Sequence, residues 1–127
     1  MRFSFHIAPL TIALFSLAAT GPAAAADVSF KDEVAPILQE YCAECHTPPD
    51  GEGYTESEFD VTSYEAVMKG TKHGSIITVG NASLSNLVIL IEGQADPSIR
   101  MPHDKKKIPK DSRNVIRRWI NQGAKNN

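Results

Sequence analysis

Apolar residues recur along this chain in short stretches at helical spacing, separated by polar and turn-forming segments, and that pattern predicts several small helices packed together. Phe30, Val34, Leu38 and Tyr41 fall on one helical face, with Ser29 and Asp32 ahead of them in the arrangement of a capping box. Pro36 is tolerated in a first turn but kinks a helix interior, so regular helix is expected to begin near Asp32 to Val34. The run Thr47-Pro48-Pro49-Asp50-Gly51-Glu52-Gly53 reads as a loop, neither regular helix nor central strand. Phe59 and Val61 suit a short extended segment. Ser63 is placed to cap a helix over Tyr64 to Lys69 that Gly70 ends, and Ser85 to cap one over Asn86 to Glu92 that Gly93 ends. Leu87, Val88, Leu90 and Ile91 make that second helix apolar nearly all round, which argues for burial.

The last helix has the clearest signature: Asp111 or Ser112 as cap, Val115, Ile116, Trp119 and Ile120 as one apolar face, and Gly123 as stop. No sustained alternation marks a strand. The expected fold class is all-α, with about four short helices.

The first 26 residues carry a different pattern. Arg2 gives a positive start, Ile7 to Ala19 is a largely apolar run of 13 residues, and Ala24-Ala25-Ala26 offers small residues for cleavage before Asp27. This is the layout of a secretory signal peptide. A retained membrane anchor needs about 20 apolar residues, and Thr20-Gly21-Pro22 interrupts the run well short of that. The expected organisation is a signal peptide over residues 1–26 and one small domain over 27–127, exported to the periplasm or an equivalent compartment, with no stable membrane insertion after cleavage. No internal repeat or low-complexity block suggests a second domain.

The net charge of −2 conceals a division. Asp27 to Glu65 holds 11 acidic residues against Lys31, whereas Ala66 to Asn127 holds 4 acidic and 11 basic. Lys105-Lys106-Lys107 and Arg113, Arg117 and Arg118 belong to the basic half. Charge runs are commonly solvated faces; the functional alternative is a patch that steers an acidic redox partner and weakens with salt. Export and net acidity argue against nucleic acid.

The chemistry centres on Cys42-Ala43-Glu44-Cys45-His46. Two thiols separated by two residues reach the two vinyl groups of a haem as thioethers, and the following imidazole ligates the iron. Cys42 and Cys45 are the only cysteines, so a four-ligand zinc site lacks its second pair. A dithiol site of the thioredoxin kind lacks its βαβ context, and a disulfide between these two closes too small a loop to stabilise much. One haem c with one iron is the expected cofactor, and by analogy with structural metal sites the haem-free chain is expected to fold poorly.

The second axial ligand lies among Met68, Met101, His73 and His103. Met101 sits in a non-helical stretch between Pro97 and Pro109 and directly precedes Pro102, which favours extended backbone at Met101; such a loop can bring a thioether across the haem face opposite His46. Met68 beside Val67 reads as core, and His73 beside Gly74 as exposed loop. A His46/Met101 pair keeps the iron six-coordinate and favours its ferrous state, which predicts a single-electron carrier, alone or within a larger oxidoreductase, with no catalytic acid, base or nucleophile. An open sixth position instead predicts a gas-binding or sensory module, and a third class is an interaction domain with a structural haem.

Phe30, Val34-Ala35-Pro36-Ile37-Leu38, the Cys42 to His46 motif, Arg100-Met101-Pro102 and Trp119-Ile120-Asn121-Gln122-Gly123-Ala124 together resemble the small cytochrome c domains called planctomycete-type. The likeness is specific at the haem motif, the Met-Pro and the terminal Trp-Ile-x-x-Gly-Ala, and looser between them; Val79-Gly80 stands where such domains often have Pro-Gly. The resemblance implies a class I cytochrome c fold whose first and last helices cross beside the haem.

Overall fold

The hydroxyl of Ser29 accepts from the Asp32 N–H at 3.1 Å, while the Glu33 carboxylate accepts from the Ser29 N–H at 2.9 Å. This reciprocal cap opens the helical part of the chain in a computed structural model that describes Met1 and residues 26–127. The expected signal peptide, residues 1–26, falls outside the described residues except at its ends.

The turn Phe30–Val34 is wound wide, and α-helix α1, Ala35–Tyr41, continues from it. In the wide turn the Val34 and Ala35 N–H groups reach back five residues, to the Ser29 and Phe30 carbonyls. Pro36 offers no N–H and its ring crowds an ordinary helical turn; the π-type winding absorbs it. Helical winding therefore starts at Phe30, ahead of the proline, while the regular α-helix begins at Ala35, directly after the Asp32 to Val34 expected.

A helix that the sequence pattern does not indicate follows: α2, Glu52–Ser57, takes in Glu52 and Gly53 of the expected loop. Six residues including a glycine have little helical tendency of their own. Its first turn is tied to the preceding motif by backbone bonds instead, Gly51 N–H to the Thr47 carbonyl at 3.0 Å and Tyr54 N–H to the Cys45 carbonyl at 2.8 Å. Helix α3, Tyr64–Lys69, is capped as predicted, with the Ser63 hydroxyl accepting from the Ala66 N–H at 3.1 Å, and Gly70 ends it.

Helix α4 spans Asn86–Glu92. Ser85 stands at its N-cap position but makes no side-chain cap. It is fully buried, and its hydroxyl accepts from the Thr78 N–H and donates to the Asn81 carbonyl, both at 2.9 Å. The group stitches the preceding turn. There the Asn81 N–H bonds the Thr78 carbonyl at 2.9 Å and Gly80 takes φ +80°, a conformation glycine adopts at little cost. Val79-Gly80 thus makes a tight turn without proline.

Helix α5, Lys110–Asn121, begins from Pro109 rather than from Asp111 or Ser112. Buried Ile108 fixes the approach, and proline's missing N–H costs nothing at a helix start; Asp111 instead lies in the first turn, where a negative charge suits the helix dipole.

The core gathers on Trp119. Its ring centroid lies 5.3 Å from that of Phe30 and 6.4 Å from that of Tyr64, and its indole N–H donates to the Lys125 carbonyl at 2.9 Å. Helix α5 packs on α4 and on the Phe30–Val34 turn, so the first and last helical segments meet as expected. The described part is all-α, with five α-helices and, among the described residues, no strand beyond one isolated Thr71–Gly74 bridge. No described helix is long and apolar enough to cross a membrane.

Candidate functional site

Helix α1 delivers the Cys42 to His46 segment as a further turn: the Cys45 and His46 N–H groups both bond the Cys42 carbonyl, at 3.1 and 2.9 Å. The outer edge of that turn is held by later chain, the Cys45 carbonyl by Tyr54 N–H of α2 and the His46 carbonyl by Val61 N–H at 3.1 Å. Phe59 and Val61, expected as a short extended segment, are buried there. The loop after α4 is anchored as well, because the Met101 N–H donates to the Leu90 carbonyl at 3.1 Å.

These connections surround a cavity of about 560 Å³. Cys42, Cys45 and His46 line it together with Met101, Pro102 and His103, and its apolar lining includes Phe59, Ile76, Leu87, Leu90 and Ile91. The all-round hydrophobicity of α4 is thereby explained: Val88 is buried in the core while Leu90 faces the cavity. Met68 packs half-buried against the core and His73 is exposed, neither lining the cavity. His103 lines it with a side chain still 55% exposed.

Both thiols are free and half-buried. Burial, and secondarily the neighbouring Cys45, pushes the Cys42 thiol up to about 12, so it is held protonated at neutral pH. Burial lowers the His46 imidazole below its ordinary value, with the Phe59 backbone opposing that effect. No contact reaches hydrogen-bond geometry at its Nδ1, which is buried without a partner. The Phe59 ring stands edge-on to the imidazole, centroids 5.2 Å apart, and the backbone at Gly53 abuts the same imidazole. The sequence offers no signal for Gly53, which reads there as a loop glycine.

Charged groups at the cavity include Glu44, Glu52, Glu56 and Asp104, with Lys105 as the lining lysine. Lys105 pairs with Glu44. Lys106 and Lys107 are not among the lining residues, nor are Arg113, Arg117 and Arg118. Arg117 bonds Glu92 at 3.1 Å, and Arg118 lies 3.8 Å from Glu33; both line a separate open groove on α5. The charge division along the chain is thus partly cancelled across the fold, with Lys125 and Asp27 paired at 2.6 Å as a further example.

The residues fit a covalent haem. Two thiols and an imidazole come from one turn, a thioether comes from an anchored loop, and the space between is mostly apolar. Among the described residues no cluster of three or more His, Cys, Asp or Glu side chains is arranged to hold a metal ion.

Residues 42–104 match the family model described as planctomycete cytochrome C. No match was found among curated proteins or among solved structures.

Proposed function

We infer, from the match of residues 42–104 to the planctomycete cytochrome C family model, that this chain serves haem-based electron transfer and is a monohaem carrier with His46/Met101 axial ligation. The observation that best supports the finer reading is that Met101 and the Cys42 to His46 turn line one cavity. Bound there, haem supplies an iron that changes oxidation state by one electron. Cys42 and Cys45 hold it through thioethers, and His46 and Met101 hold its iron. Leu87, Leu90, Ile91 and Phe59 exclude water, which limits reorganisation when the charge changes. His103, more than half exposed, is less suited to a permanent sixth position than the half-buried Met101. Export to the periplasm or an equivalent compartment belongs to the same proposal.

Methionine ligation is tested by the weak far-red sulfur-to-iron absorption of the oxidised protein. Met101→Ala is expected to abolish that band and lower the reduction potential, and Met68→Ala to leave both unchanged. The reverse result, or prompt stoichiometric carbon monoxide binding by the reduced wild type, would favour an open or differently ligated iron and with it the sensory alternative.

The partners are redox proteins that dock at the cavity mouth. The lysine run suggests an acidic partner, but four carboxylates line the cavity against Lys105, itself paired; this rim supports a basic partner face. Small redox probes test the sign. Reduction by cationic hexaammineruthenium is expected to slow as salt rises, and oxidation by anionic ferricyanide to quicken, because screening weakens attraction and repulsion alike. Opposite slopes restore the lysine-led reading, and flat profiles remove steering altogether.

A further inference from the structure

A ligating imidazole is ordinarily fixed by a hydrogen bond from its other nitrogen to a carbonyl, carboxylate or water. At His46 that nitrogen is buried with no partner at full hydrogen-bond geometry, and the backbone of Phe59 is the polar group that acts on the imidazole. Two neighbours also crowd the ring. The Phe59 ring stands at 65° to it with centroids 5.2 Å apart. The backbone of α2 at Gly53 lies so close that a β-carbon added to Gly53 would sit 2.7 Å from the imidazole Cε1 and 3.0 Å from each ring nitrogen. Separations under 3.0 Å are essentially never tolerated by a real β-carbon, so any side chain at position 53 displaces the ring or the helix.

The neighbouring bonds leave little room for the helix to yield. The Tyr54 N–H is committed to the Cys45 carbonyl at 2.8 Å, and the Thr55 N–H to the Gly51 carbonyl at 2.8 Å. Gly51 is itself hemmed in, since a β-carbon there would approach the Cys45 and Thr47 carbonyl oxygens at 2.5 and 2.6 Å. The Tyr54 bond thus ties α2 to the turn that carries His46, with the Gly51 backbone lying close against the same Cys45 carbonyl. The imidazole is the softer element.

We propose that Gly53 is a positioning residue for His46: the bare α2 backbone, together with the Phe59 ring, forms a steric clamp that sets the imidazole plane. This rests on His46 being the proximal iron ligand. It also accounts for glycine inside a six-residue helix, where alanine is the better helix former.

That last point gives the test its sign. Gly53 does not occupy the left-handed region, so Gly53→Ala on helix propensity alone should raise the melting temperature and leave the haem signals untouched. The clamp predicts the opposite. The haem-loaded Gly53→Ala protein should retain thioether-bound haem by its denatured haemochrome spectrum, yet show shifted ferric g-values, displaced hyperfine-shifted His46 proton resonances and a lower melting temperature. Phe59→Leu, which opens space beside the ring, should move the same signals, and the effects of Gly53→Ala and Phe59→Leu should be non-additive in the double variant because both walls act on one ring. Strictly additive effects in that cycle, or an unmoved electron paramagnetic resonance spectrum in Gly53→Ala, overturn the clamp. A wild-type haemochrome lacking the thioether signature, or ferric spectra unaltered in His46→Ala, would instead overturn the ligation on which it rests. If Gly53→Ala yields no folded protein, Phe59→Leu and Phe59→Val still report on the second wall, and unchanged g-values in both count against it.

Discussion

Replacing both Cys42 and Cys45 by serine is expected to eliminate covalently bound haem and, with it, the folded state. Acidified acetone should extract all pigment from the double variant and none from the wild type. Circular dichroism of the double variant should show most of its helix lost. The magnitude follows from the cavity. An unfilled space destabilises by about 24 cal/mol per Å³, so about 560 Å³ corresponds to at most about 13 kcal/mol, an upper bound because the mouth admits water. That is comparable to the whole stability of an ordinary domain, about 5–15 kcal/mol. Phe59, Leu87 and Ile91 each face that space from an otherwise buried position, and without a filler the segments they join lose their common surface. Each single serine variant should keep one thioether, visible as a shifted haemochrome band, and an intermediate stability. A double variant that folds with full helix content would refute the view that the cofactor completes the core.

Trp119→Ala is expected to cost about 3–5 kcal/mol, the range for emptying a buried large aromatic site. Trp119 is 1% exposed, contacts Phe30 and Tyr64, and uses its indole N–H on the Lys125 carbonyl. The Phe30 and Tyr64 rings also meet edge-on, centroids 5.1 Å apart, and the Tyr64 hydroxyl donates to the Ala124 carbonyl at 2.8 Å. Removing the indole thus loosens the first helical segment, α3 and the chain after α5 together. For a domain of this size, about 3 kcal/mol lowers the melting temperature by at least about 12 °C, read by circular dichroism on the haem-loaded protein. Trp119→Phe should recover much of the loss, because it restores most of the volume and lacks only the indole hydrogen bond. A melting temperature within about 4 °C of wild type for Trp119→Ala would contradict this packing account.

Some elements were legible because their cause is local. The Ser63 cap, the Gly70 and Gly93 stops and the apolar face of α5 each depend on residues within one or two turns, and they stand where the spacing puts them. Other elements have causes that lie far along the chain. Helix α2 exists because the Cys45 carbonyl meets Tyr54 N–H, an event that periodicity does not encode. Ser85 reads as a cap but is drawn into the turn at Thr78 and Asn81, since burial there rewards a hydroxyl that satisfies two backbone groups at once. The start of α5 moved to Pro109 because buried Ile108 fixes the approach.

The same division runs through the site. Cys42, Cys45 and His46 are legible as a candidate haem-attachment motif from sequence alone, because such attachment needs residue types at a fixed short spacing, which any helical turn reproduces. The candidate attachment motif and the all-α class are readable before any fold is known. Which methionine shares a cavity with that motif, which glycine lies against the imidazole and which charges rim the opening are not, because those answers depend on segments brought together by the packing of Phe30 on Trp119 and the tie from Met101 to Leu90. Short-range spacing specifies the candidate attachment motif; long-range packing specifies the cavity around it.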